Sequence, residues 1–418
     1  MRVSPEVAVS RPVAFVRRVV VGLVPCVFAA CGGGSGPSAP EVRVVTTLAD
    51  DGPGSLRQVV AEAPAGAIVV FDAALAGGTV PLESPLVLVR PVTIDGGPAG
   101  SEITLDGGHT TRHVSVVGVD GVVLMRLRFV DGDALTDGGS VFAQDSTLRL
   151  ERVHLVNAAC GGNGGAVYAG NCELTMTGCH LESHLAERGG ALWAGGGRTW
   201  VVGCSFVGNT AYDGAGGAML FGGGDHVVRS TTVHGNNCGG AGAAFDVGGG
   251  IAAFGGGLTP PVRLDLVGVT VTGNTAAGSG GGVHVGGTSG ADVWTCRQSI
   301  VAGNAAPASP DVGIGGAPAI TSAWNLVGNL SGGPIWNGLS GNQVGDAFTP
   351  LDPVLGAPQP DVEGVFGREP ALGSPVRNVV PHAQTLDELG APLLFDVWFR
   401  SRASDIASDV GAVEGSWP

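Results

Sequence analysis

The residues best able to do chemistry recur at one place in a repeated segment. Arg128, His154, His180, Ser205, Thr232 and Thr270, with Thr93 ahead of them, each stand between two apolar residues. Most are about one repeat apart, so they form one outward row in which guanidinium, imidazole and hydroxyl groups could hold a glycan or a metal. The plainer reading of such a row is a solvated sheet face. Asp131-Gly132-Asp133, followed by Asp137-Gly138, crowds carboxylates around glycine turns as a calcium loop does, although Leu135 stands where a further oxygen is wanted. Cys179 and Cys204 hold the same slot in neighbouring repeats, so their backbones should lie ~4.8 Å apart, within disulfide reach. The alternative is a pair of buried thiols behaving as small apolar groups. Cys160, Cys172, Cys238 and Cys296 have no evident partner and no zinc-ligand spacing. Glycoside hydrolysis needs two facing carboxylates, and no acidic cluster falls on one outward row. Asp225-His226 lies inside a repeat, with His226 in a partly inward slot.

What must position these residues is the repeat. Apolar residues recur as a pair two apart, a two-residue spacer, then a second pair two apart. The copies are Val87-Val89-Val92-Ile94, Val122-Leu124-Leu127-Phe129, Leu148-Leu150-Val153-Leu155 and Leu174-Met176-Cys179-Leu181. They continue as Thr199-Val201-Cys204-Phe206, His226-Val228-Thr231-Val233, Leu264-Leu266-Val269-Val271 and Trp294-Cys296-Ser299-Val301. Period two points one pair to one strand face, and the spacer resets the parity as a bend between two short strands. A coil of about 25 residues cannot bury its own inner face, but stacked coils can, each pairing in parallel with the next. Gly164-Gly165-Ala166-Val167, Gly189-Gly190-Ala191-Leu192 and Gly216-Gly217-Ala218-Met219 mark turns, with Gly249-Gly250-Ile251 and Gly281-Gly282-Val283 as looser versions. Asn209, Asn236, Asn274 and Asn304 follow three residues after the last inward position and are expected to bond one another along the stack. The expected fold is all-β: a right-handed parallel β-helix, or solenoid, over residues 85–310.

Composition agrees. The chain has 418 residues, of which 75 are glycine, and is 44% hydrophobic with only 14% charged residues. That apolar fraction is enough to oppose disorder. All 21 basic residues are arginine, and the formal net charge is −15. A surface this acidic repels phosphate backbones, so nucleic acid is not an expected partner.

The ends carry other signals. Arg17-Arg18 precede an apolar run from Val19 to Ala30, and Phe28-Ala29-Ala30-Cys31 leads into Gly32-Gly33-Gly34-Ser35-Gly36-Pro37-Ser38. This is the pattern of a secretory signal over residues 1–30, too short for a membrane span. The cysteine after two small residues resembles the lipobox of bacterial lipoproteins, with Phe28 in place of the usual leucine. The resemblance implies that Cys31 is lipidated and that residues 31–41 are a flexible tether. Over 42–84, an N-terminal cap, Ser55 and Gln58 form a capping box, and Leu56, Val59, Val60 and Ala63 make one apolar stripe of a short helix that closes the coil stack.

The repeats resemble those of chlamydial polymorphic outer-membrane proteins, through the Gly-Gly-Ala-apolar turns and Phe206-Val207-Gly208-Asn209. The capping helix with Ala67-Ile68-Val69-Val70-Phe71-Asp72, and Leu351-Asp352-Pro353-Val354-Leu355-Gly356, Ala371-Leu372-Gly373-Ser374-Pro375 and Ser408-Asp409-Val410-Gly411-Ala412-Val413-Glu414, resemble bacterial β-helix proteins with choice-of-anchor Q domains. In that family a sorting tail follows this point. Here Gly415-Ser416-Trp417-Pro418 remains, which fits an anchor at Cys31 and a C-terminal region over 311–418. The expected function is a lipid-anchored envelope or surface module, outer-membrane if the cell has one, that is non-catalytic and serves adhesion, glycan contact or structure. Its expected partners are the membrane and a surface glycan or protein. No cofactor is expected beyond calcium at the Asp131 loop. The alternative function is an extracellular polysaccharide lyase or glycoside hydrolase.

Overall fold

The computed structural model describes residues 39–240, 246–255, 260–287, 291–330, 338–402 and 407–414. Cys31, the signal and most of the tether lie outside them. The chain is a right-handed parallel β-helix of about eleven turns, built on four ladders. Sheet I has eleven strands, from Val42–Val45 and Ala67–Phe71 to Ala319–Ala323, and sheet II has eleven, from Thr79–Pro81 to Gln343–Val344. Sheet III has nine, from Leu86–Leu88 to Val312–Gly316, and sheet IV six strands of two residues each, from Asp133–Ala134 to Thr275–Ala276. The coils run I, II, III, and six of them carry a sheet IV strand between II and III. The ladders therefore extend beyond residues 85–310 at both ends.

Equivalent repeat positions stack in register. Leu148 pairs with Val122 and Leu174, and Leu155 with Phe129 and Leu181; all six are fully buried. Each buried leucine or valine is worth roughly 1.5–3 kcal/mol over exposure. The spacer is the bend between sheets I and II, and its second residue takes the left-handed conformation in Arg152, Gly178, Gly203, Ser230, Gly268 and Gln298. The first copy is out of phase. Val87 and Val89 lie outward at the edge of sheet III and are exposed, while Leu86 and Leu88 point inward. Val92 and Ile94 belong to sheet I, and the matching sheet II pair is Ile103 and Leu105. Residues 96–102 lengthen this bend, so the two-residue spacer does not apply there. Thr93 consequently lies on sheet I, and Thr104 is the residue next to Arg128.

Two polar ladders run inside the apolar core. Asn209, Asn236, Asn274 and Asn304 are bonded in sequence, each Nδ2 donating to the next Oδ1 at 2.8, 2.8 and 2.9 Å, and Asn304 donates to Asp311 at 2.8 Å. Each acceptor oxygen also takes the backbone N–H of the preceding coil's asparagine. At the bend, Cys204 Sγ accepts from Cys179 N, Thr231 Oγ1 from Cys204 N, and Ser299 Oγ from Val269 N. The helix Leu56–Glu62 buries Leu56 and Val60 against the first coils, and Ser55 Oγ accepts from Gln58 N at 3.3 Å. Gln58 turns to Glu62 rather than completing the box.

Residues 346–402 and 407–414 leave the coils and run back along the outer face of sheet II. Val376, Val380 and Val410 pack on Ile300 and Leu326. Val365, Val397, Ala412 and Val413 form a second cluster beside Trp398. Arg402, fully buried, ties the segment together through Glu414 at 3.1 Å and the carbonyls of Phe395, Asp409 and Gly411. Burial pushes the Glu414 carboxyl up to about 7 despite that arginine.

Candidate functional site

Sheet II brings the expected row together. Arg128, His154, His180, Ser205, Thr232 and Thr270 occupy successive register positions, with Ile300 and Leu326 beyond them. The row is outward, but it is not a solvated face. His180, Ser205, Thr232 and Thr270 are buried, His154 is half-buried, and only Arg128 is exposed. The cover is the chain's own C-terminal segment. Gln359–Pro360 and Phe366–Gly367 pair as a small antiparallel hairpin, whose return strand lies over the histidines. Phe366 stacks on His180 at 5.1 Å, and its N–H donates to Ser205 Oγ at 3.0 Å. Farther along, Ala412 N donates to Thr270 Oγ1, and Arg368 donates to Thr272. A row of short polar side chains suits this role because each can bond a passing backbone group that has no sheet partner.

Under the hairpin three side chains form a relay. His180 Nδ1 lies 2.7 Å from Ser205 Oγ, and His180 Nε2 lies 3.3 Å from Glu182 Oε2. An ionised carboxylate only accepts, so Nε2 carries the hydrogen toward Glu182; when the ring is neutral, Nδ1 is then bare and accepts from the serine hydroxyl. The bond to His180 holds the Glu182 carboxyl below its ordinary range. Ser205 and His180 face each other because their strands pair directly, and Glu182 shares His180's side of its strand two residues on. The Thr232 hydroxyl, next in the row, is buried without a hydrogen-bond partner. Burial lowers the pKa of His154, whose ring meets His180 edge-on at 6.0 Å. Glu182 was missed in the sequence, where the repeat drew attention to one column and Glu182 stands in the next.

The other expected sites come apart. Asp137 Oδ1 accepts from the backbone and side chain of Asn163, Asp131 is bonded to Asn157 and lies 3.3 Å from His109, and Asp133 joins neither. Among the described residues no group of three His, Cys, Asp or Glu side chains could hold a metal. Cys179 and Cys204 do stack in one slot, but both are free thiols, each donating to carbonyls of its own turn. Burial pushes the Cys204 thiol well up, so it is not an ionised nucleophile. His226 is fully inward, stacked on Phe221 at 4.7 Å and bonded to Gly222 O.

A second surface appears on sheet III. Phe142, Tyr168 and Trp193 stand outward on consecutive coils, stacked at 5.1 and 4.6 Å with ring planes within 4° of parallel. Arg112 lies over the free face of Phe142 at 5.0 Å. The rings lean over Gly170 and Gly195, where an added Cβ would come within 3.0 Å of Tyr168 and Trp193 ring atoms. Toward the first coils the same register row carries Ser115 and then Val87, while Val117 pairs with Gln144; Val87, Val89 and Val117 are each at least 60% exposed. Gln144 and Asn171 flank it. The signal in the sequence was the motif apolar-aromatic-Ala followed by Gln or Gly, directly after the glycine turns.

No protein-family model matches the chain, and no curated protein matches it. Among solved structures the chain is similar to pectate lyase Pel9A, at 12% identity over 91% of this chain and 98% of that one, with a TM-score of 0.48. It is also similar to the PL6-family alginate lyase AlyGC, at 10% identity over 88% of this chain and 60% of that one, with a TM-score of 0.29.

Proposed function

We propose that the chain is an exported, lipid-anchored envelope rod that contacts a surface glycan along sheet III. The supporting observation is the strip of Phe142, Tyr168 and Trp193, an outward apolar edge stepped at one ring per coil and bordered by polar side chains. Each ring is half-buried, its face against the neighbouring ring and its outer edge left open, and tyrosine and tryptophan pair an apolar ring with a hydrogen-bonding tip. Gln144, Asn171 and Arg112 supply amide and guanidinium donors alongside. The many acids of this chain favour a neutral glycan over a polyanionic one. The sealed sheet II row is then a docking surface for the chain's own C-terminal segment rather than the ligand face.

A glycan array on the body Pro40–Pro418, a unit in its own right, with reducing-sugar and unsaturated-product assays run alongside, tests the reading. Binding without turnover, weakened at least about tenfold by Trp193→Ala or Tyr168→Ala, is expected. Binding unaffected by both substitutions removes the strip from the reading, and product release identifies a lyase or hydrolase instead. The anchor has a separate measurement: Cys31→Ala is expected to move the full chain from the membrane to the soluble fraction, and retention in the membrane refutes lipidation.

A further inference from the structure

We infer that Ser205, His180, Glu182 and Thr232 form a latent ester-hydrolysing site closed by the hairpin of residues 359–367. Nucleophilic catalysis requires a hydroxyl bonded to a base, a group orienting that base, and a donor for the developing oxyanion. Here the hydroxyl is Ser205 Oγ, 2.7 Å from His180 Nδ1, and the orienting group is Glu182, 3.3 Å from Nε2. The donor is Thr232 Oγ1, buried, unpartnered and adjacent to Ser205 in the row. An unbonded buried hydroxyl is costly, and a donor held without a ground-state partner is what oxyanion stabilisation uses. The hairpin occupies the space an acyl group would need, and Phe366 N–H satisfies the serine oxygen in its place. It is a small element, held by two residue pairs, the buried Val365 side chain, the Phe366 contacts with His180 and Ser205, the Trp398 bond to Val365 O and the Arg152–Glu363 ion pair at 3.1 Å, with Val362 at its tip 98% exposed.

With the hairpin lifted, Ser205 Oγ bonds to the carbonyl carbon of an ester as its proton passes to His180 Nδ1. The ester C–O bond then breaks, and the departing alkoxide takes that proton and leaves as alcohol. Water, deprotonated by His180, attacks the acyl-serine. The serine oxygen recovers the proton and the acyl group leaves as carboxylic acid. Ester and water become acid and alcohol, with no oxidant or metal required. Glu182 acts through the imidazole and is a positioning residue. The other titratable and charged groups around the ring are His184 on the same coil and His154 on the preceding one, with Arg128 and Glu102 beside it; Glu363 on the hairpin meets His154 through its backbone and turns its carboxylate to Arg152.

The test uses the full chain with a fluorophosphonate probe, followed by peptide mapping, and with p-nitrophenyl acetate turnover. Phe366→Ala, and independently Arg152→Ala, which touches none of the reacting groups, are expected to raise the rate of labelling at Ser205 at least about tenfold by loosening the hairpin. Ser205→Ala in either background abolishes both signals while the chain keeps a cooperative thermal transition. Thr232→Val lowers turnover on the order of 10²-fold with KM little changed. Glu182→Gln moves the acid limb of the pH–rate profile to lower pH, and Glu182→Asp restores it. Absence of a Ser205 adduct in both loosened variants, or turnover that survives Ser205→Ala, overturns the proposal.

Discussion

Asn236 shows how much one side chain holds in this fold. Its Oδ1 accepts from both the backbone N and the Nδ2 of Asn209, while its Nδ2 donates to Phe206 O and Asn274 Oδ1. Asn236→Ala leaves the Asn209 N–H without an acceptor in a slot closed to water, at about 1–3 kcal/mol, and removes one bond each from Asn209 Nδ2, which keeps Leu181 O, from Asn274 Oδ1, which keeps the Asn236 N–H, and from Phe206 O. The expected loss is roughly 3 kcal/mol or more, read as a drop in urea midpoint with an unchanged slope. Asn236→Asp keeps the acceptor and is expected to cost less at low pH than at neutral pH. Equal losses for Ala and for a substitution at a solvent-facing asparagine such as Asn171 would falsify the ladder's role. The asparagine column was legible because a fixed offset from an apolar pattern survives in any stacked coil. The aromatic column was not legible, because an outward ring and an inward ring look alike until the phase of sheet III is known.

The elements divide by whether their sequence repeats. Sheets I and II were legible because their inward residues alternate, and their left-handed bend recurs at the second spacer residue even where glycine is replaced by Arg152, Ser230 or Gln298. The copy at residue 87 failed because an inserted bend shifted the phase, so two exposed valines imitated an inward pair. The C-terminal segment has no period at all. Its order comes from particular contacts: Arg402 with Glu414, Arg229 with Asp387 and Glu388, and Phe399 over Gly178 and Gly203. At Gly203 an added Cβ would meet Phe399 at 2.9 Å, at a φ of +61° that also disfavours other residues, so a bend glycine doubles as a seat for the segment. The last two pairings join residues far apart in the chain, Arg229 and Asp387 by 158 positions, and leave no local signal. The sequence therefore showed that an outward polar row exists, while what lies over it came only from the folded chain.

For the whole molecule, stacking every coil on the next makes the interior continuous, and that sets the response to acid. Burial holds His113, His226 and His284 down to about 4 and His184 down to about 3. Each is held neutral by burial, His113, His184 and His226 inside the coils and His284 in the outward row of sheet III beyond Trp193; His184 Nδ1 accepts from Ala158 N and its Nε2 donates to Leu155 O, while Nδ1 of the other three is buried without a partner. The unfolded chain would protonate these rings near 6.5. Below that pH the unfolded state binds more protons than the folded one, so stability present above pH 6.5 is lost as pH falls toward 4, at roughly 1.4 kcal/mol per pH unit for each histidine. Glu414 runs the other way, since its raised folded value favours the protonated folded form and its deprotonation costs stability as pH rises toward 7. His154 and His234 are lowered as well, and Asp246 and Asp311 are raised by burial like Glu414, so six groups against three leave a net loss in acid. Urea midpoints at pH 7.5, 6.5, 5.5 and 4.5 are expected to hold between the first two and then fall steeply. His184→Gln should flatten part of that fall while lowering the midpoint at pH 7.5, because the amide keeps a donor but loses the ring's fit. A midpoint flat from pH 7.5 to 4.5 means these histidines are not sealed in a continuous core, and the stacked interior described above is wrong at those coils.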